Sequence, residues 1–163
     1  MRRLLATLSL ALLALPVAPF AAAKTKAPGD GTLVVRKATG KITVTGKGLI
    51  FGRFDQGTLT IVDYNPDDGV EPQVNGAEKR TPLPGEGKVQ YKGDNVRFRF
   101  FGGRYKLAFT GASGVDLSAV GNGKVTLAGA GPFFIDDYGF YSVDGSKLQP
   151  LTLATVQAQF GNP

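Results

Sequence analysis

The sequence predicts an all-β protein, a single antiparallel β-sandwich or partly open barrel of about ten to twelve short strands, with a β-solenoid-like stack as the alternative. Three observations carry this. Gly and Pro supply 23 and 10 of the 163 residues and are scattered among apolar segments, as in short strands joined by turns. Beyond the first two dozen residues no stretch keeps a helical apolar period. Strand signals instead recur about every eight to twelve residues, each bounded by Gly, Asn or Asp.

Residues 1–23 carry Arg2 and Arg3, an apolar run from Leu4 to Leu15, and small residues ending in Ala21, Ala22 and Ala23. This is the layout of a secretory signal peptide cleaved after Ala23. The apolar run is well short of the roughly 20 residues a spanning helix needs, so no transmembrane anchor is expected after cleavage. No Cys exists to take a lipid. The expected destination is the periplasm or the extracellular space, by the secretory pathway. Residues 24–30 form a polar leader containing Pro28 and Gly29, and residues 31–163 form the β domain.

Within that domain the expected strands are Thr32 to Arg36, Lys41 to Thr45, Leu49 to Phe54, Thr58 to Tyr64, Lys88 to Lys92, Val96 to Phe101, Arg104 to Phe109, Val115 to Val120, Lys124 to Ala128, Phe133 to Ile135 and Phe140 to Val143. Leu151 to Phe160 suits a strand or a short helix. Asp55-Gln56-Gly57 reads as a three-residue hairpin loop. Gly102-Gly103 reads as a two-residue hairpin turn, which sets Phe100 against Tyr105, Phe98 against Leu107 and Val96 against Phe109. The opposite face then holds Arg97, Arg99, Arg104 and Lys106. With Lys88 to Lys92 in front, a three-stranded meander results. Residues 63–86 break the pattern with four prolines and a run of acids, and read as a long acidic loop with at most one weak strand, around Gln73 and Val74. A spaced identity at an offset of 83 links Gly31, Gly40, Lys41, Thr43, Gly46 and Gly48 to Gly114, Gly123, Lys124, Thr126, Gly129 and Gly131. As a repeat it would mean related half-sheets or stacked coils; as coincidence it reflects strand and turn composition.

Composition bounds the chemistry. There is no His and no Cys, which removes Ser-His-Asp and Cys-His nucleophiles, thiol redox sites, and zinc sites with imidazole or sulfur ligands. Carboxylate chemistry remains, and a glycosidase would need two facing carboxylates; Asp136 or Asp137 with Asp63 are the nominees. The expectation is nonetheless a protein without enzymatic activity.

The formal charge is +6. Two of those charges lie on the signal. From Lys88 to Lys106 there are six cations (Lys88, Lys92, Arg97, Arg99, Arg104, Lys106) and one acid, Asp94. The expected function follows: an exported, non-catalytic envelope or matrix module whose cationic sheet face takes an anionic polymer or glycan, with Arg supplying forked contacts. Arg99 and Lys106 are expected opposite each other. No RNA-recognition signature is present and export argues against nucleic acid. Two other readings compete. Tyr138, Asp136 and Asp137, within an aromatic stretch from Phe133 to Tyr141, suit carbohydrate binding. Asp63, Asn65 and Asp67 place oxygen atoms at alternate positions, as at the opening of a calcium loop, and would make a calcium-stabilised adhesin-like domain; apart from calcium on that reading, no cofactor is expected.

Overall fold

The computed structural model describes residues 28–131 and 138–162. The signal peptide expected over 1–23, the strand expected at Phe133 to Ile135, and Asp136 and Asp137 lie outside the described residues. Seven antiparallel strands follow one another: β1 (Gly31–Asp63), β2 (Gln73–Asn75), β3 (Lys79–Pro82), β4 (Lys88–Gly129), β5 (Phe140–Val143), β6 (Gln149–Pro150) and β7 (Val156–Phe160). The fold is all-β, as the sequence predicts.

Two strands are far too long to be straight. At roughly 3.3 Å per residue, β1 would reach about 110 Å and β4 about 140 Å. A domain of this size has a radius of gyration of about 14 Å. Both strands therefore bend repeatedly, and the register shows where. Ile42 lies beside both Phe109 and Leu127, Leu49 beside both Phe101 and Val120, and Leu59 beside both Tyr91 and Phe109. β1 and β4 form an antiparallel ribbon that winds on itself, so each residue meets the facing arm on one side and the next winding on the other.

Tracing those pairs separates two layers. The first runs β2, residues 93–101, 49–57, 113–121, 31–38, then β5 and β6. The second runs β3, residues 88–92, 58–63, 104–110, 41–48, 121–129, then β7. Successive parts of β1 alternate between layers, as do those of β4 from residue 93 to 129. This is the connectivity of a jelly roll.

The inner faces make the core. Leu33, Val35, Ile50, Phe54, Phe98, Phe100 and Leu117 of the first layer meet Ile42, Val44, Leu59, Ile61, Tyr105, Leu107 and Phe109 of the second, all buried. Rings join the layers directly: Phe54 packs edge-on to Phe109 at 5.9 Å, Phe98 lies 5.5 Å from Phe109, and Phe100 lies 4.9 Å from Tyr105. Removing one such ring would cost about 3–5 kcal/mol.

The bends fall at glycines. Gly48 and Gly121 pair with each other where both arms cross between layers, with φ of 133° and 146°. A Cβ on Gly48 would meet the Val120 carbonyl oxygen, and one on Gly121 the Lys47 carbonyl oxygen. Glycine is required there twice over, by backbone angle and by space.

Several sequence expectations change. Gly102-Gly103 is not a hairpin turn: Leu49 pairs with Phe101 and Lys47 with Arg104, so two glycines stand opposite Gly48 alone, a bulge at a layer crossing. The strands on either side enter different layers, and the three-stranded meander does not form. Asp55-Gln56-Gly57 is likewise a bend within β1, because Phe54 pairs with Val96 and Thr58 with Lys92. Finally, the loop over 63–86 contributes two short edge strands, β2 and β3. The Gly-punctuated echo has a plain geometry: its two copies are neighbours, with Gly40 beside Gly129, Thr43 beside Thr126 and Gly46 beside Gly123. Residues 151–155 are not strand, and β7 takes only the end of the last expected segment.

Candidate anion-binding faces

Alternation that buries one side of each strand exposes the other, so each layer presents an outer face. The second layer's face is built in rows across its strands. Lys88 lies beside Val62, Val62 beside Lys106, Lys106 beside Thr45, Thr45 beside Lys124, and Lys124 beside Gln159. Three lysines thus stand in one line on alternate strands, about 10 Å apart. The next row is neutral: Thr81, Gln90, Thr60, Ala108, Thr43, Thr126 and Gln157. Beyond it Lys79 pairs with Lys92, and Lys41 stands on the same side; at the other end Lys47 pairs with Arg104. A shallow cavity of about 440 Å³ lies between Lys47, Arg104 and Lys124.

Eight cations among the described residues therefore share this face. Among the described residues, the only carboxylate carried by any strand of the layer is Asp63, which is buried at the inner side. Among the described residues none of the eight has an ion-pair partner. Two like-charge pairs, Lys79 with Lys92 and Lys47 with Arg104, sit directly across from each other, an arrangement that costs stability. Arg104 also lies over the Tyr64 ring at 5.3 Å.

The first layer's face differs. Arg97 pairs with Arg53, and Arg53 with Asp116; one row along, Arg99 pairs with Phe51, and Phe51 with Ser118. Arg53 Nε donates to Asp116 Oδ2 at 3.0 Å, and the Lys37 backbone N–H donates to Asp116 Oδ1 at 3.1 Å. Arg36 completes a set of four guanidinium groups around a cavity of about 480 Å³, which β2 borders with Gln73 and Asn75. Phe51 and Phe101 are exposed on this face, at 43% and 47%, and the Arg99 guanidinium lies 4.9 Å from the Phe101 ring centre.

The six cations expected on one face are thus divided. Lys88, Lys92, Arg104 and Lys106 lie on the second layer, whereas Arg97 and Arg99 lie on the first, on the opposite side of the molecule. The bulge at Gly102-Gly103 causes this: it carries the chain across the core between Phe101 and Arg104. Arg99 does not face Lys106, which pairs with Thr45 and Val62. Sequence reasoning also missed Lys41, Lys47, Lys79 and Lys124 on one face, and Arg36 and Arg53 on the other. A signal for one row exists in the chain: Lys88, Lys106 and Lys124 recur every 18 residues, one winding of β4.

The other nominated residues are placed as follows. The Asp63 carboxylate accepts from the Asn65 backbone N–H at 2.9 Å, and Asp68 Oδ1 from the Val70 N–H at 2.9 Å. These are local turn contacts, and no three acidic side chains gather as a metal site among the described residues. Asp67 is exposed. Tyr138 is buried, 8% exposed, with its ring against Gly129; it offers no face for a sugar to stack on. The buried Tyr105 hydroxyl donates to the Val70 carbonyl at 2.8 Å, tying the 64–72 segment to the core. Burial, then the nearby Asp63 and Asp68 carboxylates, pushes its pKa up from 10.0 to about 12.

Comparison with protein families, with curated proteins and with solved structures finds no match to this chain.

Proposed function

We propose that this chain is an exported, non-catalytic binding or structural module of a cell envelope or extracellular matrix, and that the outer face of its second layer holds an acidic polysaccharide. The observation that carries the reading is the line of Lys88, Lys106 and Lys124, set among eight cations with no exposed carboxylate on the strands of that layer. Unrelieved repulsion between directly opposed cations is a cost that a bound polyanion offsets. The neutral row of Thr and Gln beside the lysines adds hydroxyl and amide groups that pair with sugar hydroxyls. A repeat of about 10 Å is of the order of two sugar units in an extended acidic chain.

The test is a titration with soluble polygalacturonate, with dextran as the neutral control. Wild-type protein should bind the acidic chain alone, with affinity falling roughly tenfold or more between 50 and 300 mM salt. Lys106→Glu combined with Lys124→Glu should abolish binding while leaving the thermal midpoint within a few degrees. Binding that persists in that double variant, or that ignores salt, would refute the assignment.

A further inference from the structure

The first layer carries a second site of different character. We infer that the groove formed by Arg53, Arg97, Arg99 and Phe51 binds a phosphate monoester whose phosphate is attached to an apolar body. This stands apart from the polysaccharide reading, because the two faces lie on opposite sides of the core.

Charge is the first argument. Among the described residues, four guanidinium groups meet one carboxylate, Asp116, around this cavity. That carboxylate already accepts from Arg53 Nε and from the Lys37 backbone. Arg97 and Arg53 are directly opposed like charges, and the guanidinium groups of Arg36, Arg97 and Arg99 have no hydrogen-bond or carboxylate partner among the described residues.

Orientation is the second. Asp116 holds Arg53 by Nε, and the two terminal nitrogens of Arg53 have no hydrogen-bond partner among the described residues. The Arg99 guanidinium lies over the Phe101 ring, a cation–π contact that restrains it without using its N–H donors. Neighbouring guanidinium forks held this way match a tetrahedral oxyanion, whose three terminal oxygens accept several N–H bonds at once. The Gln73 and Asn75 amides beside Arg99 and Arg97 add further donors at the rim.

Shape is the third. A cavity of about 480 Å³ lies in the range of small-molecule sites, about 300–1,000 Å³. The Phe51 ring, 43% exposed, sits between Arg99 and Ser118 on adjacent strands. An exposed ring in the middle of a cationic cluster is explained by a ligand that is anionic at one end and apolar at the other.

The experiment measures binding of inorganic phosphate, phenyl phosphate and phosphatidic-acid vesicles to the full domain. The expected result is saturable binding of phenyl phosphate, tighter than inorganic phosphate, and strengthening as pH rises through the second phosphate pKa of about 6. Arg97→Gln and Arg99→Gln should each weaken it roughly tenfold. Arg97→Lys should weaken it too, since charge without the fork is insufficient. Phe51→Ala should erase the preference for phenyl phosphate over phosphate. Vesicle binding lost in the same arginine variants, without binding of the soluble ester, assigns the phosphate to a lipid headgroup. Lys106→Glu with Lys124→Glu should change none of these, which separates this site from the polysaccharide face. Absence of saturable binding to either monoester source, or binding unaffected in Arg97→Gln and Arg99→Gln proteins with wild-type melting curves, would overturn the inference.

Discussion

Tyr105 shows how one side chain joins the core to the loop above it. Its ring is fully buried against Phe100, while its hydroxyl donates to Val70 across 35 residues of sequence. Burial and the carboxylates of Asp63 and Asp68 disfavour the phenolate and raise the pKa from 10.0 to about 12. The folded state therefore prefers the neutral phenol more strongly than the unfolded chain does. That preference is fully present below pH 10 and is lost as pH rises towards 12. Urea midpoints of wild type and Tyr105→Phe should differ by a constant amount from pH 7 to 9.5, with wild type more stable by about 1 kcal/mol. Above pH 10 the difference should shrink and then reverse, because only wild type has this buried phenol to ionise. A difference that stays flat to pH 11.5 would contradict this account.

At the scale of elements, what the sequence disclosed was parity, and what it concealed was partnership. Val96, Phe98, Phe100, Tyr105, Leu107 and Phe109 are buried as expected, and Arg97, Arg99, Arg104 and Lys106 are exposed. A turn and a two-for-one bulge preserve the same in-and-out order, so the pattern cannot tell Gly102-Gly103 as a hairpin from Gly102-Gly103 as a crossing. Which strands share a face depends on register, and register here is set by residues 26 to 90 positions apart. Arg53 and Asp116 are the clearest case: nothing near either one in sequence points to the other. The echo of Gly40 to Gly46 in Gly123 to Gly129 was legible as a pattern yet not as a contact. Its symmetry is that of two antiparallel neighbours, with Thr43 against Thr126 at the centre. Register also yields an energetic expectation. Lys47 opposes Arg104, and Lys47→Glu turns a repulsive pair into an attractive one. Stability should rise by about 0.2–1 kcal/mol at low ionic strength and the gain should fade at high salt. Lys47→Gln should lie between the two. The same Lys47→Glu protein should bind polygalacturonate more weakly than wild type, a pairing of gained stability with lost affinity expected where charge is kept for a ligand. A loss of stability at low salt would show that the two cations are not in effective repulsion.

For the whole molecule, the winding of one ribbon dictates the order in which contacts can form. The arms are closest in sequence where Val62 meets Lys88 and farthest where Gly31 meets Gly121. Loop-closure entropy grows with the length of chain enclosed, so pairing is cheapest next to the 64–87 connection. Once Thr58 to Asp63 lies against Lys88 to Lys92, each further pair encloses little additional chain, and the ribbon zips towards its open end. The layers must then close on each other before Phe54, Phe98 and Phe109 bury their rings. A topology so dominated by distant pairings should fold in milliseconds to seconds, and the transition state should be structured near the connection. Ile61→Val and Leu33→Ala, both at fully enclosed core positions, separate the ends of the ribbon. Ile61→Val should act mainly on the folding rate, with φ above about 0.5, and Leu33→Ala mainly on the unfolding rate, with φ below about 0.3. Stopped-flow refolding of the two variants decides between this and the opposite order. If Leu33→Ala slows folding while Ile61→Val only speeds unfolding, the ribbon closes from its open end, and docking of β5 and β7 against the first and last windings precedes the hairpin.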